Sequence, residues 1–233
     1  MLNVKNLNSG YGKMQVLKDV DIEVKSGEIV ALIGPNGSGK TTVIKSIFGI
    51  ADVFEGMIHF KKENVKKLKT HDLIRRGVSY VPQGRIVFED MTIKENLEMG
   101  ARFIDDKEVV AQQLKEVYGL FPILKERENK KAYQLSGGQR QMLALGRALI
   151  QKPNLLMLDE PSIGLSPKLQ KQLFDILLKL RDKGIALLIV EQNAKKAIEM
   201  ADRTYLLENG EIALTGGKDI IKHKKIKEVY LGG

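Results

Sequence analysis

Nine residues, Gly34-Pro-Asn-Gly-Ser-Gly-Lys-Thr-Thr42, follow the apolar run Ile29-Val-Ala-Leu-Ile33 and lead into a helix-competent stretch, Thr41 to Phe48. A buried strand, a glycine-rich turn and a helix in that order make the phosphate-binding loop GxxxxGK[ST], which commits the chain to an α/β fold. Gly34, Gly37 and Gly39 let the backbone turn with φ > 0 and bring its N–H groups against phosphate oxygens, with Pro35, Asn36 and Ser38 between them. Lys40 places positive charge on the β/γ-phosphates, the Thr41 hydroxyl is a hard oxygen ligand for Mg²⁺, and Thr42 continues the loop into the helix. The helix N-terminus adds its dipole to the anion site. The expectation is a nucleoside triphosphate site.

At 233 residues and 43% hydrophobic content, the chain can bury a core as one domain or as a domain with an inserted lobe. It contains no cysteine, which excludes a disulfide framework and a Cys-based zinc site. His59, His71 and His223 are scattered among polar neighbours and suggest neither a metal site nor a triad. The longest apolar runs, such as Ile185-Ala-Leu-Leu-Ile-Val190, fall far short of the ~20 residues of a membrane span. Met1-Leu-Asn-Val-Lys-Asn has no signal-peptide apolar region, so a cytosolic protein is expected. The net charge of +9 concentrates in residues 61–76 and 222–227. Those runs lack aromatics to stack on bases, so they read as solvated lysine faces, then as a face drawn to anionic membrane, rather than as a nucleic-acid site.

Along the chain, Val16, Val20, Ile22 and Val24 alternate as half-buried antiparallel β. A strand is expected at Val78-Ser-Tyr-Val81, and helices at Ile93–Met99, Val109–Tyr118 and Gly138–Ile150. Strands return at Leu155–Leu158 and Ile185–Val190. The helix between them starts at Ser166-Pro167, carries the stripe Leu169, Leu173, Ile176, Leu177, Leu180, and ends at Lys183-Gly184. Asn209-Gly210 turns a hairpin, and a helical tail runs over 219–230. The predicted layout is one domain: a nucleotide-binding core of residues 1–84 and 151–233 with an antiparallel β region, interrupted by a helical lobe at 85–150.

Leu135-Ser-Gly-Gly-Gln139, followed by Asp159-Glu160 at the end of an apolar strand, resembles the ATP-binding cassette (ABC) family. The resemblance runs from Tyr11 to Asn209-Gly210 and implies a P-loop NTPase (RecA-like) core, an N-terminal antiparallel β subdomain and an inserted α-helical subdomain. Ser136 and Gln139 also spell a capping box, which leaves the remaining amides beside Gly137 and Gly138 as an anion site. In the family that site meets the γ-phosphate bound by a second cassette, so the resemblance implies a head-to-tail dimer. It likewise implies that Tyr11 stacks on adenine with Val16 nearby, and that Gln83 senses Mg²⁺ and γ-phosphate. Asp159 would be the Mg²⁺ carboxylate, and Glu160 the general base of an ATP-hydrolysing enzyme.

Two departures stand out. Gln192, in Val190-Glu-Gln-Asn193, occupies the position where most cassettes have histidine; an amide donates a hydrogen bond but does not become cationic near neutral pH. Ser166 stands where many members have Asp. Together with Gly84-Arg-Ile-Val-Phe-Glu-Asp-Met-Thr-Ile-Lys-Glu-Asn-Leu97 and the terminal Tyr-Leu-Gly-Gly, they are similar to the smaller ATP-binding subunit of branched-chain amino acid importers. Urea, amide and lipopolysaccharide cassettes are close alternatives; a soluble non-transport ATPase and a regulatory cassette are more distant ones. The resemblance implies a sister ATPase, two membrane permeases, an external substrate-binding protein, and a peripheral place on the inner face of the membrane. Residues near Phe88 and Met91 would line the groove that receives a permease helix.

Overall fold

The structure, a computed structural model, describes residues 1–84 and 86–231, with the side chains of 228, 229 and 231 excepted. Arg85, within the stretch 84–97, and Gly232 and Gly233 of the terminal motif lie outside the described residues.

An antiparallel sheet begins the chain. It contains β1 (Leu2–Tyr11), β2 (Met14–Val24), β4 (Asp52–Phe60) and β5 (Glu63–Asn64) in the order β2-β1-β4-β5. Between β2 and β4 lie β3 (Ile29–Ile33) and α1 (Lys40–Ile47). After β5 come α2 (Thr70–Arg75) and β6 (Val78–Val81). Four helices follow: α3 (Ile93–Gly100), α4 (Lys107–Leu120), α5 (Pro122–Glu126) and α6 (Gly137–Leu149). The chain then runs through β7 (Leu155–Asp159), α7 (Pro167–Asp182), β8 (Ala186–Val190), α8 (Ala194–Met200), β9 (Arg203–Glu208), β10 (Glu211–Gly216) and α9 (Lys224–Leu231). A second sheet has the order β10-β9-β3-β8-β7-β6, parallel except for the edge strand β10.

Every residue of β3, β7 and β8 is buried. Helices and sheet cover both faces of these parallel strands, which is why they read as unbroken apolar runs rather than as alternation. Ile29, Ala31, Leu156, Leu158, Leu187 and Ile189 point into the core shared with α6 and α7. Val30, Leu32, Leu155, Met157, Leu188 and Val190 point into the core shared with α1 and the antiparallel sheet. The helices between β6 and β7 close on Gly146, where a Cβ would come 2.9 Å from Val117 Cγ1 and 3.2 Å from Leu97 Cδ2. Thr92 and Glu95 cap α3 reciprocally.

Several expectations need correcting. The alternation of β2 breaks at Asp19, whose φ is +47°, so Leu17 takes the buried phase and Val16 is only half-buried. Strand β4 went unpredicted because Gly56, at φ +93°, and exposed Phe54 and Met57 blur its pattern. The tail is two pieces, a 3₁₀ turn at Lys218–Lys222 and α9, divided at extended His223.

Candidate functional site

The cleft lies at the carboxyl ends of the parallel strands, where loops leave β3, β6, β7 and β8, the usual ligand crevice of such sheets. Gly37 (φ +79°) and Gly39 (φ +105°) take the left-handed conformations the phosphate loop needs. Gly34, contrary to expectation, is not in the positive-φ region; it is glycine because a Cβ would lie 2.1 Å from the Leu207 carbonyl oxygen. The β9–β10 hairpin braces the loop from behind: Gly210 N–H donates to Ser38 O at 3.0 Å, and Lys18 N–H donates to Gly210 O at 2.9 Å.

Lys40 is buried, and its ammonium donates to the carbonyls of Gly34 and Pro35, each at 2.9 Å. Burial lowers its pKa, with Glu160 and Asp159 opposing. This is positive charge held inside the loop on neutral acceptors, a cradle suited to phosphate. Asp159, at the end of β7, is 2% exposed. Its Oδ1 accepts the Thr41 hydroxyl at 3.1 Å and its Oδ2 the Tyr80 hydroxyl at 3.3 Å. Burial raises the Asp159 pKa; the bonds from Thr41 and Tyr80, then Lys45 and Lys40, pull it back. A buried carboxylate beside a hydroxyl is the hard-oxygen donor set that suits Mg²⁺. Among the described residues, no group of three or more His, Cys, Asp or Glu could hold a metal, so phosphate oxygens and water would complete the shell.

Glu160 has φ +47°, a left-handed conformation costing about 1–3 kcal/mol in a non-glycine residue, and its N–H donates to Val190 O at 2.9 Å. Its carboxylate accepts Gln83 Nε2 at 2.7 Å, which joins the end of β6 to the end of β7. Val16, Asn36, Gly37, Gly39, Lys40, Thr41, Thr42, Gln83, Glu160 and Gln192 thus share one cleft of about 410 Å³, joined by Ile163. Tyr11 stands beside that wall, its hydroxyl 3.4 Å from Thr42 Oγ1 and its ring 5.9 Å from Lys45 Nζ.

The residues of Leu135–Gln139 are not brought to the cleft. They sit at the start of α6, where Gln139 N–H donates to Ser136 Oγ at 3.3 Å and Ser136 N–H donates to Gln139 Oε1 at 3.0 Å. Gly137 opens the helix, and a Cβ on Gly138 would approach Leu169 Cδ1 of α7 to 2.3 Å. A second groove of about 260 Å³ runs between Tyr80, Phe88, Phe103 and Arg147. The Arg147 guanidinium lies 5.0 Å from the Phe88 ring and donates to Ile86 O at 2.7 Å. Phe88 lines this groove; Met91 does not, because its segment turns away to pair with the α5–α6 connection, Ala132 N–H donating to Met91 O.

Sequence reading missed Tyr80, Asn96 and Glu191. Tyr80 precedes Gln83 on the strand pairing directly with β7, in register with Met157, a position from which it reaches Asp159. Asn96 is fully buried and holds Phe88 through both N–H and C=O. A polar residue on the apolar face of α3 was the available signal.

The parallel sheet, the phosphate loop and the acidic pair at the end of β7 define a P-loop nucleotide-binding protein. A family model described as ABC transporter matches residues 17–163. The high-affinity branched-chain amino acid transport ATP-binding protein BraG of Pseudomonas aeruginosa is 45% identical over 234 residues, covering 100% of both chains. A probable branched-chain amino acid transport ATP-binding protein, LivF of Archaeoglobus fulgidus, is 42% identical, covering 100% of this chain and 99% of that one. A nucleotide-free ATP-binding cassette from an ABC transporter superposes with TM-score 0.89 at 28% identity, covering 100% and 99%. The chain belongs to the ABC transporter family, as an ATP-binding domain.

Proposed function

We propose that this chain is the ATP-binding, ATP-hydrolysing subunit of a branched-chain amino acid importer. The meeting of Lys40, Thr41, Gln83, Glu160 and Gln192 on one cleft carries the chemistry, and full-length likeness to BraG and LivF supports the substrate. Residues 85–150 act as the helical lobe on a core of 1–84 and 151–233. The partners are a sister cassette, two membrane permeases and, through them, an external binding protein. No helix among the described residues is long and apolar enough to cross a membrane, so the permeases supply the attachment to its cytoplasmic face. The groove beside Phe88 receives a permease segment; Tyr80 lines it and bonds to Asp159, so docking and the cleft share one side chain.

In the mechanism, loop amides and Lys40 hold the triphosphate, and Tyr11 and Val16 flank the base. Thr41 and Asp159 would hold Mg²⁺, with Gln83 beside it, and the ion would supply charge neutralisation to the phosphate oxygens. Glu160 exchanges its bond from Gln83 for one from the attacking water and takes its proton. Gln192 donates to the γ-phosphate. Ser136 and the amides at the start of a neighbour's α6 clamp the same phosphate, so ATP closes the pair and hydrolysis releases it.

Gln192→Ala removes a donor to charge, worth roughly 1.5–3 kcal/mol, so hydrolysis is expected to fall about 10- to 100-fold. Phosphate release by the purified chain and leucine uptake by cells carrying the variant should fall together. Unchanged hydrolysis removes Gln192 from the mechanism; lost hydrolysis with normal uptake removes the importer assignment.

A further inference from the structure

Glu191 follows the last residue of β8, is 2% exposed, and plays no part in the chemistry above. Its carboxylate accepts Ser162 N–H at 3.1 Å. Burial pushes its pKa up, and the neutral polar groups of Ser162, then the backbone of Asn193 and Gln192, offset part of the shift. A buried carboxylate balanced only by neutral dipoles is a costly way to fill space.

The bond from Ser162 to Glu191 joins two loops. One follows the base, Glu160, and runs through Ser162 to the N-cap Ser166; the other carries Gln192. A second tie runs parallel to the first. Gln170 of α7 donates to Ser162 O at 3.3 Å and Leu165 O at 3.2 Å, and its side-chain oxygen accepts Lys196 of α8. The Glu191 N–H donates in turn to Leu32 O at 3.3 Å, two residues before the phosphate loop.

We propose that Glu191 is a positioning residue that locks the Gln192 loop to the loop after Glu160, so that engagement of γ-phosphate by Gln192 sets the segment next to the base. The inference rests on the proposed hydrolytic function and adds a residue to it.

The test is a double-mutant cycle on the full chain with Mg²⁺ and ATP, comparing Glu191→Gln, Gln192→Ala and the pair. Glu191→Gln is expected to lower kcat about tenfold with KM for ATP within about twofold. Its Tm should stay within about 5 °C of wild type, with kcat partly restored in Glu191→Asp. The pair should be little slower than the slower single variant. Additive losses, an unchanged kcat, or a kcat loss explained by a lower folded fraction would overturn the proposal. Should Glu191→Gln fail to fold, the cycle is run with Glu191→Asp, whose smaller kcat loss must still be non-additive with that of Gln192→Ala; additivity there overturns the proposal. A wild-type chain that hydrolyses no ATP overturns the functional reading and this inference with it; an active wild type with an additive cycle overturns the inference alone.

Discussion

Glu160→Gln is expected to slow ATP hydrolysis roughly 10²–10⁴-fold while nucleotide still binds. The amide keeps the shape of the side chain and cannot accept a proton. Glu160 sits at φ +47° with its carboxylate bonded to Gln83, so the backbone already aims it into the cleft. The Gln side chain can still accept from Gln83 through its oxygen, and the loop should keep its form. Phosphate release and equilibrium nucleotide binding, measured on one preparation, check this. Hydrolysis at the wild-type rate would take the base role away from Glu160, and lost binding would show that its charge holds the loop together.

Lys40→Ala is expected to separate ligand affinity from fold stability, with opposite signs. Losing a charged donor to phosphate should weaken nucleotide binding by roughly 1.5–3 kcal/mol, about 10- to 100-fold. ATP at a hundredfold its Kd stabilises the wild type by about 2.7 kcal/mol, a Tm rise of roughly 5–10 °C for a domain this size. At the same ATP concentration the variant should lose about half to nine-tenths of that rise. Without nucleotide the sign reverses. Burial lowers the Lys40 pKa, so folding disfavours its charged form, and at any pH below the folded pKa that penalty is present in full. The variant's Tm without ATP should therefore equal or exceed wild type. Thermal melts with and without Mg²⁺ and ATP read both effects. A variant that melts lower without nucleotide would mean that the bonds to Gly34 and Pro35 outweigh the cost of burying the ammonium.

The nucleotide-binding core was legible in the sequence because its elements announce themselves locally. Five consecutive apolar residues before a glycine-rich loop can only be a covered strand, and β3 is buried throughout. Ser166-Pro167 and Lys183-Gly184 bracket α7 through cap chemistry confined to a few residues. The antiparallel sheet was harder to read. The left-handed Asp19 shifts the phase of β2, and β4 is exposed along much of its length, so neither keeps a clean period of two. For the site, Lys40, Thr41, Asp159 and Glu160 belong to short motifs whose spacing states their chemistry. Tyr80 and Glu191 do not. Their partners, Asp159 and Ser162, lie 79 and 29 residues away along the chain, and only the parallel pairing of β6, β7 and β8 brings them together.

We propose that ATP is held by the phosphate loop of one chain and by Ser136 and its helix of another, a second copy of this chain standing in for the sister cassette. The most direct test of this arrangement is the molar mass of the Glu160→Gln chain in solution, with and without ATP, alone and combined with Ser136→Arg. ATP should convert Glu160→Gln into a dimer, and Ser136→Arg should prevent this while leaving the affinity of the monomer for ATP unchanged. A dimer that forms equally well with Arg at position 136, when paired with itself, would contradict the account.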